Sequence, residues 1–298
     1  MLRRIIILLL QMLLCSSLPT LAAGLPEYGM RGGDRAKDLE FPTEVSDIEF
    51  ETTPRLALYK PDGDGPFPGL VLGHQCGGLR NNDSMLNWAR EAVKRGYAVL
   101  LLDSLGPRGV DSVCKGSKGD VFQSRGANDA LQAARHLRKQ PFVDKKRVAY
   151  AGYSWGAGNG LLLASRQSAS ALGMSDHRFD AVVSFYPPCN NYPTNGTPPY
   201  TMIMSGIDRP LLVLLGGRDN ETPAEECTTD LKPQKDAGAP IEWHLYPDAY
   251  HCWDCTQWDG IRKTAFRGEV EYHYDEAVTK DSMRRMFEFI EKTFKQGR

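Results

Sequence analysis

Short apolar runs recur along the chain, and amphipathic segments separate them. Residues 69–73, 97–102, 147–151, 181–185, 211–215 and 241–246 are mainly apolar. Runs of this length suit strands that are covered on both faces. Residues 55–60 alternate between apolar and polar and predict an early antiparallel strand. Helical spacing predicts helices at 83–95, 127–139, 224–237 and 282–294. In the second, Ala130, Leu131, Ala134 and Leu137 share one face. In the last, Met283, Met286, Phe287, Phe289 and Ile290 fall mostly on one side. Strand and helix in alternation predict an α/β fold, with a mostly parallel central sheet and helices on both faces. Working residues in such sheets stand on loops at the carboxyl ends of strands.

The N-terminus breaks this pattern. Arg3 and Arg4 precede an apolar stretch at 5–14, and small residues follow at Ala22, Ala23 and Gly24. That order predicts a signal peptide over 1–23 and an exported mature chain of one catalytic domain over 24–298. The apolar stretch is shorter than the roughly 20 residues that span a bilayer, so no stable membrane insertion is expected once the signal is removed. Secreted or periplasmic placement follows. The remaining six cysteines are Cys76, Cys114, Cys189, Cys227, Cys252 and Cys255. An even number in an exported chain predicts disulfides whose pairing spacing alone does not assign. Cys189 could meet Cys227 across adjacent loops, and Cys76 is either a free thiol or a partner for Cys114. Cys252-x-x-Cys255 is weighed as a bridge, a metal site or a redox pair, and the bridge is favoured. The net charge is −1 with no basic stripe, which gives a nucleic-acid partner no electrostatic footing. The sequence assigns no oligomeric state.

Candidate chemistry sits after three of the apolar runs. Gly152-Tyr153-Ser154-Trp155-Gly156 follows the run at 147–151 and precedes a helix candidate. A serine on a tight strand-to-helix turn projects its hydroxyl above the sheet, and glycines two residues away let the backbones approach. A serine hydroxyl needs a base. Asp219 follows the run at 211–215, and His251 follows that at 241–246, in the chain order nucleophile, acid, histidine. Asp219 is preferred over Glu221, Asp208 and Asp248 by its place after a strand. His251 is preferred because His74 ends a strand that precedes the serine, His244 lies inside a strand run, and His273 sits in a polar run before the final helix. An oxyanion intermediate needs two N–H donors. Trp155 is one candidate, and Cys76 in the Gly-rich stretch 73–78 is the other. Arg108 and Trp253 are candidate substrate contacts, for a carboxylate and an apolar acyl group respectively. No metal or cofactor is expected. Asn195-Gly196-Thr197 and Asn220-Glu221-Thr222 match the glycosylation pattern but are each followed by proline, and are set aside.

Five segments together resemble the dienelactone hydrolase-like branch of the α/β-hydrolase superfamily. They are residues 68–78 (PGLVLGHQCGG), 102–109 (LDSLGPRG), 147–156 (RVAYAGYSWG), 211–219 (LLVLLGGRD) and 246–251 (YPDAYH). The resemblance implies an α/β-hydrolase fold and a small-molecule ester substrate. It implies Ser154, Asp219 and His251 as the triad, and Cys76 and Trp155 as oxyanion donors. Ser154 stands where dienelactone hydrolase itself has cysteine, and Gln75 where many relatives have glycine. The short stretch 189–210 leaves no room for a large lid. Two other readings are a peptidase of the prolyl-oligopeptidase type and a catalytically silent binding protein. The first usually carries a large extra N-terminal domain. The second commonly lacks a triad residue, and all three candidates are present here.

Overall fold

The computed structural model describes residues 36–297, apart from 81, 174, 193–198 and 266–267. The segment expected to be a signal peptide, and Asn195, lie outside the described residues. In chain order the elements are β1 (Ala57–Tyr59), β2 (Phe67–Gly73), α1 (Ser84–Lys94), β3 (Ala98–Leu102), α2 (Gln123–Lys139), β4 (Val143–Tyr153), α3 (Trp155–Ala164), α4 (Arg166–Ala171) and β5 (Ala181–Phe185). They continue with β6 (Asn190–Asn191), β7 (Tyr200–Thr201), β8 (Leu211–Gly216), α5 (Ala224–Asp236), β9 (Ile241–Tyr246), β10 (Arg262–Ala265), β11 (Gly268–Glu271) and α6 (Glu276–Gln296).

Seven strands form one sheet in the order β1-β3-β2-β4-β5-β8-β9. β1 runs antiparallel to β3, and the other neighbours are parallel. Successive side chains of a strand point to opposite faces, so each apolar run feeds two cores. Leu70, Leu72, Val99, Leu101, Ala151 and Val183 pack with Trp88 of α1 and Phe287 and Ile290 of α6. Val71, Leu100, Val148, Tyr150, Val182 and Val213 pack instead with Leu131 and Leu137 of α2 and Leu161 of α3. β9 is one of the two edge strands, and its middle residues are only partly covered. That exposure explains why 241–246 is the least apolar of the runs.

Two helices start earlier than their spacing predicts. α6 begins at Glu276 because the Asp275 side chain accepts from the Val278 N–H at 2.9 Å and caps a polar first turn. α2 begins at Gln123. The β10–β11 hairpin has no counterpart in the apolar pattern, because its residues are mostly polar and half-exposed. Between β5 and β8 the described residues hold only the β6–β7 pair, with no large lid, and the Cys189–Cys227 disulfide fastens this stretch to α5. No described helix is long and apolar enough to cross a membrane.

Candidate active site

Ser154 is the single residue between β4 and α3. Its backbone sits at φ 51° and ψ −112°, a region costing a non-glycine residue about 1–3 kcal/mol. The surroundings hold it there. Its N–H donates to Phe185 O at 3.0 Å, and the next turn is locked by the Gly156 N–H donating to His74 O at 3.0 Å. A Cβ on Gly152 would lie 2.2 Å from Gly156 O, and one on Gly156 would lie 2.5 Å from Gly73 O. Both contacts are with backbone, which cannot swing aside. Gly156→Ala is therefore expected to cost about 1–3 kcal/mol in urea denaturation and to displace Ser154. A variant with wild-type stability and reactivity would contradict this account of the turn.

Asp219 and His251 stand past the ends of β8 and β9, on loops stitched together by backbone. Gly217 N–H donates to Tyr246 O at 2.8 Å, and Arg218 N–H to Ala249 O at 2.9 Å. The His251 Nδ1–H donates to Asp219 Oδ2 at 2.8 Å. A carboxylate only accepts, so this bond places the ring proton on Nδ1 and leaves the Nε2 lone pair for the Ser154 hydroxyl, 3.0 Å away. All three side chains are buried. Burial disfavours the charged imidazole. The Asp219 carboxylate, and after it Glu221, outweigh that penalty and raise the His251 pKa above its ordinary value.

Thr222, which the sequence pattern did not single out, completes the acid's setting. Asp219 Oδ1 accepts the N–H groups of Glu221 at 3.0 Å and Thr222 at 2.8 Å. The Thr222 hydroxyl lies 2.8 Å from Asp219 Oδ2 and 3.1 Å from His251 Nδ1. An Asp followed three residues later by Thr, just before a helix, is the available signal for such a turn. Behind the imidazole, the Tyr186 ring packs edge-on at 4.8 Å. Its hydroxyl donates to the buried Asp254 at 2.6 Å, and Trp88 Nε1 donates to the other oxygen at 2.8 Å.

The 73–78 stretch is tied to the same end of the sheet. His74 Nδ1–H donates to Gln75 O at 2.6 Å, and its Nε2 accepts the Ser104 N–H at 3.1 Å, so both ring nitrogens are used. The ring stacks on Trp155 with centroids 5.5 Å apart. Cys76 is bonded to Cys114, and its carbonyl accepts the Val113 N–H at 2.9 Å. Cys252 and Cys255 are bonded to each other, directly after His251. Gln75 Nε2 lies 3.6 Å from both of their sulfurs.

Arg108 and Trp253 are not brought to the serine as open contacts. Arg108 makes a two-pronged buried pair with Asp129 at 2.7 and 2.9 Å, and donates to Lys37 O and Ser104 O. It is held by these partners rather than offered to a substrate carboxylate. Trp253 is fully buried against α6, where its Nε1 donates to Ser282 Oγ at 3.2 Å. The rejected acids are engaged elsewhere. Asp208 pairs with Arg178 at 2.9 Å, and Asp248 with Arg218 at 2.8 Å. Glu221 is different: its Oε2 approaches His251 Nε2 to 3.8 Å.

A parallel sheet with a serine on a strained strand-to-helix turn, followed by an acid and a histidine on later strand ends, defines the α/β hydrolases. The chain belongs to the dienelactone hydrolase family, whose profile matches residues 55–294. Esterase FrsA of Salmonella paratyphi B and of Salmonella newport are each 33% identical to it over 133 residues, 41% of this chain and 29% of theirs. The chain thus aligns with less than a third of these relatives' length. Among solved structures, a putative dienelactone hydrolase from Klebsiella pneumoniae has a TM-score of 0.57 at 18% identity, over 78% of this chain and 90% of its own. Thermogutta terrifontis esterase 2 has a TM-score of 0.59 at 18% identity, over 85% and 96%. At such identities these structures speak for the fold alone.

Proposed function

We propose that this protein is an exported serine hydrolase of carboxylic esters, with Ser154, His251 and Asp219 as its triad. His251 Nε2 takes the Ser154 proton as Oγ attacks the ester carbonyl. Asp219 holds the Nδ1–H tautomer and stabilises the imidazolium. The carbonyl oxygen, now negative, is held by the N–H groups of Cys76 and Trp155. His251 then protonates the departing alcohol, and a water that it deprotonates releases the acid and restores Ser154. One observation carries this reading: the hydroxyl, the imidazole and the carboxylate form an unbroken relay of 3.0 and 2.8 Å at a strained serine.

Two further facts support it. Three disulfides suit an oxidising compartment, as the expected signal peptide does. Thermogutta terrifontis esterase 2 is known with butyrate bound and in forms phosphonylated by sarin and cyclosarin. Esters of short acyl chains are therefore the first class to offer. The test is labelling of the purified mature protein by a fluorophosphonate probe, beside Ser154→Ala. Wild type should label and the variant should not. Labelling that survives the substitution would sink Ser154 as nucleophile, and a folded wild type that never labels would sink the enzyme.

A further inference from the structure

The triad leaves one acidic group of the site without a task. Glu221 is on the acid loop, two residues past Asp219, yet its side chain reaches the opposite side of the imidazole. Asp219 meets Nδ1, while Glu221 Oε2 lies 3.8 Å from Nε2, the nitrogen that faces Ser154. Its carboxylate is held in place by two residues from the hairpin region. The Tyr272 hydroxyl donates to Oε2, and the Lys263 ammonium lies 3.8 Å from Oε1. Lys263 is itself seated over two rings, 5.0 Å from that of Trp258 and 4.7 Å from that of Tyr272. Burial would push the Glu221 carboxyl up, but the charges of His251 and Lys263 and the Tyr272 hydroxyl hold it below its ordinary pKa. It is an anion at neutral pH.

We propose that Glu221 is a second positioning carboxylate of the site. It stabilises the imidazolium from the serine side when Ser154 attacks, and Lys263 on the hairpin sets how much of its charge His251 feels. This rests on the triad assigned above. The charged and titratable groups around the ring fit it. From the acid loop come Asp219 and Glu221, with the Thr222 hydroxyl. From the elbow comes Ser154, from the end of β5 Tyr186, from the hairpin region Lys263 and Tyr272, and from the histidine's own loop Asp254. Among the described residues, only Asp219 and Glu221 place a carboxylate against a ring nitrogen of His251. No bond forms or breaks at Glu221. It stays an anion through the cycle while the proton passes from Ser154 to His251 and on to the alcohol.

The test is the pH profile of kcat/KM with p-nitrophenyl acetate for wild type, Glu221→Gln and Lys263→Met. Glutamine still accepts from Tyr272 but carries no charge, so the imidazolium loses a stabilising neighbour. The acid limb of Glu221→Gln should fall by roughly one pH unit. Its alkaline plateau should drop several-fold, because the base is weaker. Lys263→Met removes a cation near the ring and unmasks Glu221, so its acid limb should rise. Opposite displacements are the signature, since a merely structural role would move both plateaus and neither limb. A wild type that turns over and labels, with an unmoved limb in Glu221→Gln or with limbs moving in the same direction, overturns Glu221 alone. A wild type that neither turns over nor labels removes the triad and this proposal together.

Discussion

Ser154→Ala is expected to lower kcat on p-nitrophenyl acetate by about 10⁴- to 10⁶-fold, and adding His251→Ala should cost little more. The reason is geometric. The Ser154 hydroxyl reaches His251 Nε2 at 3.0 Å, and that ring has its other nitrogen committed to Asp219. With the hydroxyl gone, the imidazole has no nucleophile to deprotonate. With the imidazole gone, the hydroxyl has no base. Each residue works only through the other, so their losses do not add. Asp219→Asn should also be severe, because an amide can donate to Nδ1 and favour the tautomer that points a proton at the serine. Residual activity in Ser154→Ala belongs to the N–H donors and to substrate binding, which it leaves in place. Rates for the three variants and the Ser154→Ala/His251→Ala double, taken at a pH above the acid limb, check this. Single losses that multiply in the double variant would mean the two side chains act independently, against the relay.

Ser154 and Asp219 are legible because each follows a fully buried apolar stretch, the end of β4 and the whole of β8. The C-terminal half of β4, with β5 and β8, is buried on both faces and almost wholly apolar, so the chain announces where each ends. β9 is readable more from its neighbours than from itself, since an edge strand tolerates Glu242 and His244. What stays hidden depends on pairings between distant segments. Arg108 follows β3 by position and carries a charge, which is all that local reading offers. Its partner Asp129 is on α2, and no local pattern links them. Trp253 is two residues past His251 in sequence, but α6, which buries it, is more than twenty residues further on. Thr222 and Glu221 have roles set by distances to a histidine on another strand end, and the hairpin that holds Glu221 lacks an apolar signature. The six cysteines leave their pairing open for the same reason, and the fold closes it as Cys76–Cys114, Cys189–Cys227 and Cys252–Cys255.

The largest stability effect is expected at Asp129, away from the triad. Asp129 is fully buried and accepts from two guanidinium groups, Arg108 at 2.7 and 2.9 Å and Arg125 at 2.9 Å. Arg125 also pairs with Asp38 at 2.6 Å and keeps a counter-charge if Asp129 is lost. Arg108, only 6% exposed, would be left with carbonyls alone. Removing one member of a buried pair strands the other, at about 3–5 kcal/mol. Asp129→Ala should lower the melting temperature by roughly 10 °C in a chain of this size. Replacing both partners, as in Arg108→Leu/Asp129→Leu, removes the stranded charge and should recover much of that loss. The pair also reaches the site. Arg108 holds Ser104 O at 2.7 Å, the Ser104 N–H donates to His74 Nε2, and His74 O accepts the Gly156 N–H at the serine turn. Asp129→Ala should therefore slow fluorophosphonate labelling even at temperatures where it is fully folded, whereas a substrate-binding Arg108 would leave labelling alone and raise KM only for esters that bear a carboxylate. Calorimetry and labelling rates on the same preparations separate the two, and an Asp129→Ala protein that melts with wild type would refute the buried pair as a support of the fold.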